Sequence, residues 1–101
     1  MEFSLHSGRN IPAIGFGLGT TYRDRSKQDL VSGILKAYDK GYRLFDTAIV
    51  YNTEQFLGQA LTALQSQNVK REDIQITTKI HPRHFNCRQV LKIDQLTIFN
   101  R

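Results

Sequence analysis

The stretch Gly-Tyr-Arg-Leu-Phe-Asp-Thr-Ala at residues 41–48 decides the fold class. It opens on a glycine that ends a helical pattern, and it continues as a short apolar strand over residues 42–48. Asp46 and Thr47 stand at the carboxyl end of that strand. A helix stop, an apolar strand and a polar strand end, in this order, favour a chain in which strands and helices alternate.

Helical patterns flank this strand on both sides. The first helix is expected to start at a Ser26 N-cap and to stop at Lys40-Gly41, a basic last turn followed by glycine. The second is expected to start near Thr53-Glu54 and to end around residues 67–68. Their apolar stripes at helical spacing are Leu30, Val31, Ile34, Leu35, Ala37 and Tyr38 in the first, and Phe56, Leu57, Ala60, Leu61 and Leu64 in the second.

The ends of the chain complete the order of elements. Residues 3–14 are typical of a hairpin, and the glycine-rich residues 15–21 form the next strand. Residues 74–80 are a β-branched strand with a lysine near its end. Residues 86–99 fit a third helix, although residues 96–99 also fit a strand. The order hairpin, βα, βα, β predicts an α/β fold with a parallel sheet.

Composition excludes several classes of protein. The net charge is +5, but the basic residues are scattered and mixed with acids, which indicates a solvated surface and not a nucleic-acid site. Cys87 is the only cysteine, so we expect a reducing compartment. The first residues lack a signal-peptide pattern, and no stretch reaches the ~20 apolar residues of a membrane span. We expect a cytoplasmic protein.

The glycine strand allows two interpretations. Gly15, Gly17 and Gly19 resemble a dinucleotide fingerprint, and Asp46 ends the next strand, where such a site has its ribose-binding acid. That fingerprint needs its last glycine to open a helix, whereas residues 20–25 separate Gly19 from the expected cap. The alternative is that the glycines serve close packing of the strand.

Three residues form a candidate catalytic cluster. Asp46 and Lys79 each end a predicted parallel strand, and Tyr51 follows in the loop that opens the second helix. Ligands bind at this edge of α/β sheets. An inward lysine needs a partner, and Asp46 is the obvious one. An ammonium beside a phenol would help Tyr51 donate a proton to a carbonyl oxygen. A purely structural Asp46–Lys79 ion pair explains the spacing equally well.

The remaining candidates are weaker. His81 and His84 follow the third strand at the same edge, so one of them could touch a substrate. We expect no metal site, because a third ligand is missing nearby.

Four stretches together resemble the aldo-keto reductases. They are residues 11–20, residues 41–48, residues 51–54 (Tyr-Asn-Thr-Glu) with residues 58–61 (Gly-Gln-Ala-Leu), and residues 71–79 ending in Thr-Thr-Lys. They follow in the order and spacing of that family over roughly residues 5–80.

The resemblance implies a (β/α)₈ barrel whose base is closed by the hairpin, and NADPH-linked reduction of aldehydes or ketones. By resemblance Tyr51 is the general acid and is tuned by Lys79 and Asp46. Gly19, Thr20, Thr21 and Asp46 would lie near the nicotinamide, and His81 near the substrate. A complete barrel needs roughly 250 residues, so residues 1–101 would form a partial domain that ends before the fourth strand and its catalytic histidine. We therefore expect the free chain to be inactive.

Two non-enzymatic alternatives remain. The chain could be a module that pairs with a partner through an exposed sheet edge. It could also be a small flavodoxin-like domain that retains a flavin or nucleotide. The oligomeric state and the particular carbonyl substrate are not encoded in these patterns.

Overall fold

The computed structural model describes residues 1–19 and 27–81 of the 101-residue chain. Several expectations fall outside these residues: the helix cap at Ser26, the cofactor contacts at Thr20 and Thr21, and the third helix beyond residue 86.

The described residues contain five strands and two α-helices. The strands are β1 (Glu2–Ser4), β2 (Asn10–Pro12), β3 (Phe16–Gly17), β4 (Leu44–Asp46) and β5 (Gln75–Thr77), and the helices are α1 (Lys27–Asp39) and α2 (Glu54–Ser66). Short 3₁₀ helices at Ile49–Tyr51 and Arg71–Asp73 precede α2 and β5. Neither α1 nor α2, the two α-helices of the described residues, has the length and hydrophobicity that a membrane span requires.

The parallel sheet has the spatial order β3-β4-β5. Its register places Gly17 opposite Asp46, and Asp46 opposite Thr77, so the three strands end side by side. In sequence α1 lies between β3 and β4, and α2 lies between β4 and β5. The predicted βα alternation and parallel sheet are therefore confirmed.

The strands are shorter than the predicted spans 42–48 and 74–80. Regular strand pairing covers only residues 16–17, 44–46 and 75–77. Beyond it the chains stay connected by single hydrogen bonds, such as the Leu18 amide to the Asp46 carbonyl at 2.9 Å. The sequence pattern marks every extended residue, whereas a strand needs a paired neighbour as well.

The predicted hairpin is confirmed as the antiparallel pair β1–β2. Its turn contains Gly8 at φ 84°, and the Leu5 amide closes it by donating to the Arg9 carbonyl at 2.7 Å. Nε2 of Gln75, the first residue of β5, donates to the Asn10 carbonyl at 2.9 Å. The hairpin therefore lies at the amino-terminal edge of the parallel sheet, opposite to Asp46.

Both helices end in a Schellman motif. At the end of α1, the Tyr42 amide donates to the Ala37 carbonyl and the Gly41 amide donates to the Tyr38 carbonyl, each at 3.0 Å. Gly41 has a φ of 105°, which favours glycine, so the predicted helix stop is confirmed. α2 ends in the same way, with Asn68 at φ 68° in the position of the glycine.

The hydrophobic core lies between the sheet and the two helices. α1 and α2 also contact each other, and most residues of both apolar stripes are buried. The buried core residues are Leu18, Leu30, Val31, Ile34, Ala37, Phe45, Phe56, Leu57, Ala60, Leu61, Leu64 and Ile74. Leu35 and Tyr38 are only partly buried and flank this core.

Candidate active site at the carboxyl edge of the sheet

Asp46 and Lys79 form an ion pair at the carboxyl edge of the parallel sheet. Asp46 is the last residue of β4, and Lys79 lies two residues beyond β5. Nζ of Lys79 lies 2.9 Å from Oδ1 and 3.1 Å from Oδ2 of Asp46, so the ammonium donates to both carboxylate oxygens. The predicted pairing is confirmed.

The prediction that Lys79 points inward and is forced by burial to pair with Asp46 is wrong. The side chains of Lys79 and Asp46 are 49% and 44% exposed. Asp46 is the last paired residue of its strand and Lys79 lies past the last pair, so their charged ends reach solvent at the sheet edge. No desolvated interior compels the two groups to pair.

A short turn brings Tyr51 to the same place. The 3₁₀ helix Ile49–Tyr51 is attached to the sheet edge, because the Ile49 amide donates to the Lys79 carbonyl at 3.2 Å. Asn52 ends this helix at φ 55°, in the left-handed region that asparagine tolerates. Nζ of Lys79 lies 5.2 Å from the centroid of the Tyr51 ring, within the range of a cation–π interaction.

The ion pair determines the charge state of Lys79. The hydrogen bond to Asp46 raises the pKa of the Lys79 ammonium above its ordinary value of 10.5. Desolvation by burial lowers this pKa, while the charge of Asp46 and the neighbouring Tyr51 raise it further. Lys79 therefore carries a positive charge at neutral pH, and that charge lies beside the Tyr51 ring.

A buried threonine pair connects the strand ends to α2. Thr53 is the N-cap of α2, but its side chain makes no capping hydrogen bond. It donates instead to the Leu18 carbonyl at 2.9 Å. The Thr47 hydroxyl lies 3.4 Å from the Thr53 hydroxyl, and Thr47 is the donor because the single Thr53 proton points to Leu18. An N-cap bond is ordinarily worth ~1 kcal/mol, so this helix start forgoes a local bond in favour of a tertiary one.

Glu54 makes the corresponding contact on the other side. It is the first residue of α2, it is only 5% exposed, and its Oε1 accepts a hydrogen bond from the Thr78 hydroxyl. A carboxylate at this position also interacts favourably with the amino-terminal end of the helix dipole. Sequence reasoning found Thr53 and Glu54 only as a helix start, because that pattern is the same whether the side chains cap the helix or reach a strand.

Other predicted site residues have different outcomes. Gly19 lies beside the cluster, since a Cβ built on it would be 3.9 Å from Cζ of Tyr51. Thr20 and Thr21 lie outside the described residues. His81 is partly buried two residues beyond Lys79, and its contact with a substrate stays a prediction.

Two surface clefts lie at the opposite end of the sheet. Their volumes are about 300 and 350 Å³, and both are bordered by Met1, Pro12 and Gly41, where the hairpin meets the end of α1. The cluster of Asp46, Tyr51 and Lys79 does not border either of them. These two clefts therefore do not mark the candidate active site.

Comparison with known proteins decides the family. The sequence pattern of the Aldo/keto reductase family matches residues 13–101, which is most of the chain.

The chain belongs to the aldo/keto reductase family.

Curated aldo-keto reductases align with much of this chain. The 3-alpha-hydroxysteroid dehydrogenase of Rattus norvegicus is 37% identical over 82 residues, which cover 79% of this chain and 25% of that protein. Methylglyoxal reductase DkgA of Escherichia coli O157:H7 is 34% identical over 92 residues, or 91% of this chain and 31% of that protein. The chain thus spans about a quarter to a third of the length of these relatives.

Solved aldo-keto reductases share the fold. The Bombyx mori enzyme in complex with NADP superposes with a TM-score of 0.80 at 30% identity, covering 96% of this chain and 33% of that one. The aldose reductase of Schistosoma japonicum gives a TM-score of 0.77 at 36% identity, covering 99% of this chain and 32% of that one. These neighbours are (β/α)₈ barrels, which confirms the predicted fold class as part of such a barrel.

In this chain the cluster provides three complementary groups. The Tyr51 phenol is a proton donor, the Lys79 ammonium is a fixed positive charge, and the Asp46 carboxylate orients that ammonium through two hydrogen bonds. Gly19 leaves the adjoining side of the phenol without a side chain. Such a set suits the transfer of a proton to an oxygen that gains negative charge.

Proposed function

We propose that this aldo-keto reductase sequence carries the proton-donating part of an active site for NADPH-dependent reduction of aldehydes or ketones. Tyr51 is the general acid, and Lys79 and Asp46 are the groups that tune it. The observation that carries the proposal is the Lys79 ammonium, bonded to both Asp46 oxygens and 5.2 Å from the Tyr51 ring.

The residues present fit the nicotinamide end of NADPH. Asp46 is 44% exposed, so its carboxylate remains accessible to a ligand hydroxyl or amide. At Gly19 a side chain would project toward the Tyr51 ring, and glycine keeps that space open. We propose that Gly19 and Asp46 hold the nicotinamide end, together with Thr20 and Thr21. When bound, NADPH supplies a hydride to the carbonyl carbon.

The protein's own step is the transfer of a proton. As the carbonyl carbon gains hydride, its oxygen gains negative charge and takes the proton of the Tyr51 hydroxyl, which yields the alcohol. The Lys79 charge stabilises the phenolate left on Tyr51, and Asp46 keeps the ammonium in place. We propose that His81 contacts the substrate beyond Lys79.

We further propose that these 101 residues alone do not turn over substrate. The Asp46–Lys79 pair is about half exposed, so water screens the charge that should act on the phenol. NADPH oxidation by the purified chain with a small aldehyde would contradict this proposal.

A chimera tests the catalytic assignment. Residues 1–101 would replace the matching 32% of the Schistosoma japonicum aldose reductase, with which the chain is 36% identical. In this chimera Tyr51→Phe should lower kcat by roughly 10²-fold or more. Tyr42→Phe is the matched control, because Tyr42 packs edge-to-face on Phe16 near the amino-terminal ends of the strands. A Tyr51→Phe chimera with near-parental kcat would refute the assignment.

A second candidate is a non-catalytic module that pairs with another chain. Within the described residues β3 and β5 are outer strands, and the hairpin exposes Phe3 and Leu5 at 61% and 45%. Open strand edges and apolar surface favour association. Sedimentation velocity with circular dichroism separates the cases: a cooperatively folding oligomer supports the module, and a folded monomer contradicts it.

A further inference from the structure

The start of α2 is attached to both outer strands of the sheet. Thr53 donates its hydroxyl proton to the carbonyl of Leu18, just beyond β3. Glu54, the next residue, accepts a hydrogen bond from Thr78, just beyond β5. Because β4 lies between β3 and β5, two consecutive residues of one helix span the carboxyl edge of the sheet.

Each of these contacts is adjacent in sequence to a member of the candidate site. Leu18 precedes Gly19, and Thr78 precedes Lys79. The third contact, from Thr47 to Thr53 at 3.4 Å, is made by the residue that follows Asp46. Tyr51 is two residues before Thr53 on the same turn.

Three of the contacting side chains are buried, while Asp46 and Lys79 near them are about half exposed. Thr47, Thr53 and Glu54 are 0%, 4% and 5% exposed, whereas Lys79 and Asp46 are about half exposed. A half-exposed side chain has little packing to fix its position, so its place depends on the backbone that carries it. The hydroxyl of an N-cap threonine also ordinarily satisfies its own helix, and here it does not.

We infer that Thr53 and Glu54 are positioning residues, which hold the strand ends so that Gly19, Tyr51 and Lys79 keep their mutual distances. The inference rests on the proposed function for its purpose, but it concerns geometry that is measurable without turnover. We call Thr53, Glu54, Thr47 and Thr78 the helix-start clamp.

The first test uses nuclear magnetic resonance on the full 101-residue chain. Thr53→Val removes the hydroxyl and keeps the side-chain shape, and Thr53→Ser keeps the hydroxyl. Thr62→Val makes the same change at an exposed site of α2, where the hydroxyl donates to the Gly58 carbonyl of the same helix. The readouts are the Overhauser contact from the Tyr51 ring to the Gly19 Hα, and the titration of the Lys79 side chain.

The clamp predicts a specific pattern. Thr53→Val should weaken the Tyr51–Gly19 contact several-fold and bring the pKa of Lys79 back toward 10.5. Thr53→Ser should restore both, and Thr62→Val should leave both unchanged. A folded Thr53→Val chain with parental values of both readouts overturns the inference. If that variant does not fold, Thr78→Val and Glu54→Met, which each remove one partner of the Thr78–Glu54 hydrogen bond, decide by the same readouts, and parental values in them overturn it.

Activity in the chimera separates this inference from the proposed function. Thr53→Val there should lower kcat more than it raises KM and should shift the pH profile, and Thr53→Ser should recover both. If Tyr51→Phe leaves kcat intact while Thr53→Val still displaces the Tyr51 ring, then the proposed function fails and the clamp stands. The opposite result, a loss of kcat only in Tyr51→Phe, removes the clamp and keeps the function.

Discussion

The energetic worth of the Asp46–Lys79 pair distinguishes a structural ion pair from a functional one. Its geometry is good, with Nζ 2.9 and 3.1 Å from the two carboxylate oxygens, but its side chains are 49% and 44% exposed. At that exposure water screens the attraction, and measured pairs of this kind contribute about 0.2–1 kcal/mol. Removing one partner of a desolvated structural pair would lower the free energy of unfolding by roughly 3–5 kcal/mol.

A double-mutant cycle measures this quantity. The four chains are the parent, Asp46→Asn, Lys79→Met and the double variant, each unfolded in urea and followed by circular dichroism at pH 7. We expect a coupling energy below about 1 kcal/mol. In the chimera the same single substitutions should lower kcat at least about tenfold, because charge stabilisation in the transition state is worth more than in the folded ground state.

The pH dependence gives an independent check with a defined sign. The pKa of Lys79 is raised in the folded chain above its ordinary 10.5. The coupling should therefore be fully present below about pH 10.5 and should disappear as the pH rises through the folded-state pKa. A coupling above about 2 kcal/mol, or one that persists at pH 12, would show a structural pair and refute the reasoning.

Three further substitutions test the fold in the same urea assay. Gly41→Ala should destabilise the chain by ~1–3 kcal/mol, because φ 105° is unfavourable for alanine although its Cβ meets nothing within 4 Å. Gly33→Ala inside α1, also in open space, should instead stabilise the chain by ~0.5–1 kcal/mol. Stability changes of the same sign in the two variants would contradict the backbone argument. Asn68→Gly should raise stability, by less than ~1 kcal/mol, because φ 68° strains asparagine less than other side chains; a lower urea midpoint would count against a Schellman end. Ile34→Ala should cost ~2–5 kcal/mol, since Ile34 is 0% exposed in the core, and a cost below ~1 kcal/mol would show that the site collapses or that the core is not formed.

The fold was predictable from the sequence because its signals are local and repeated. The stop at Gly41 needs only the left-handed backbone of one residue, and the apolar stripe through Ile34 needs only helical spacing. Strand limits were predicted less well, since pairing depends on a neighbour that is distant in sequence. The sequence pattern predicts a strand over residues 42–48, yet only Leu44–Asp46 are paired as a strand.

The sequence predicted which residues come together in the candidate site, but not how exposed they are. Asp46 and Lys79 were identified because both follow strands, and the ends of parallel strands meet at one edge. The burial expected of them was wrong, because no sequence pattern records how far past the last pair a side chain reaches into solvent. Spacing alone left a structural ion pair open, and the observed exposure weakens that alternative because exposed pairs of this kind ordinarily add little to stability.

The exposed and the buried side chains at the carboxyl edge of the sheet have different proposed roles. In the proposed function Asp46 and Lys79 need access to a ligand, and at about half exposure little packing can hold them. Thr47, Thr53 and Glu54, which lie at the same edge of the sheet, are buried and hydrogen-bonded, and Thr53 gives up the local bond that a helix start ordinarily makes. A local rule that is broken inside an otherwise consistent fold is where function is expected. On this reasoning, substitutions in the helix-start clamp should lower both the stability of the chain and the activity of the chimera. Substitutions of Asp46 or Lys79 should lower the activity and leave the stability almost unchanged.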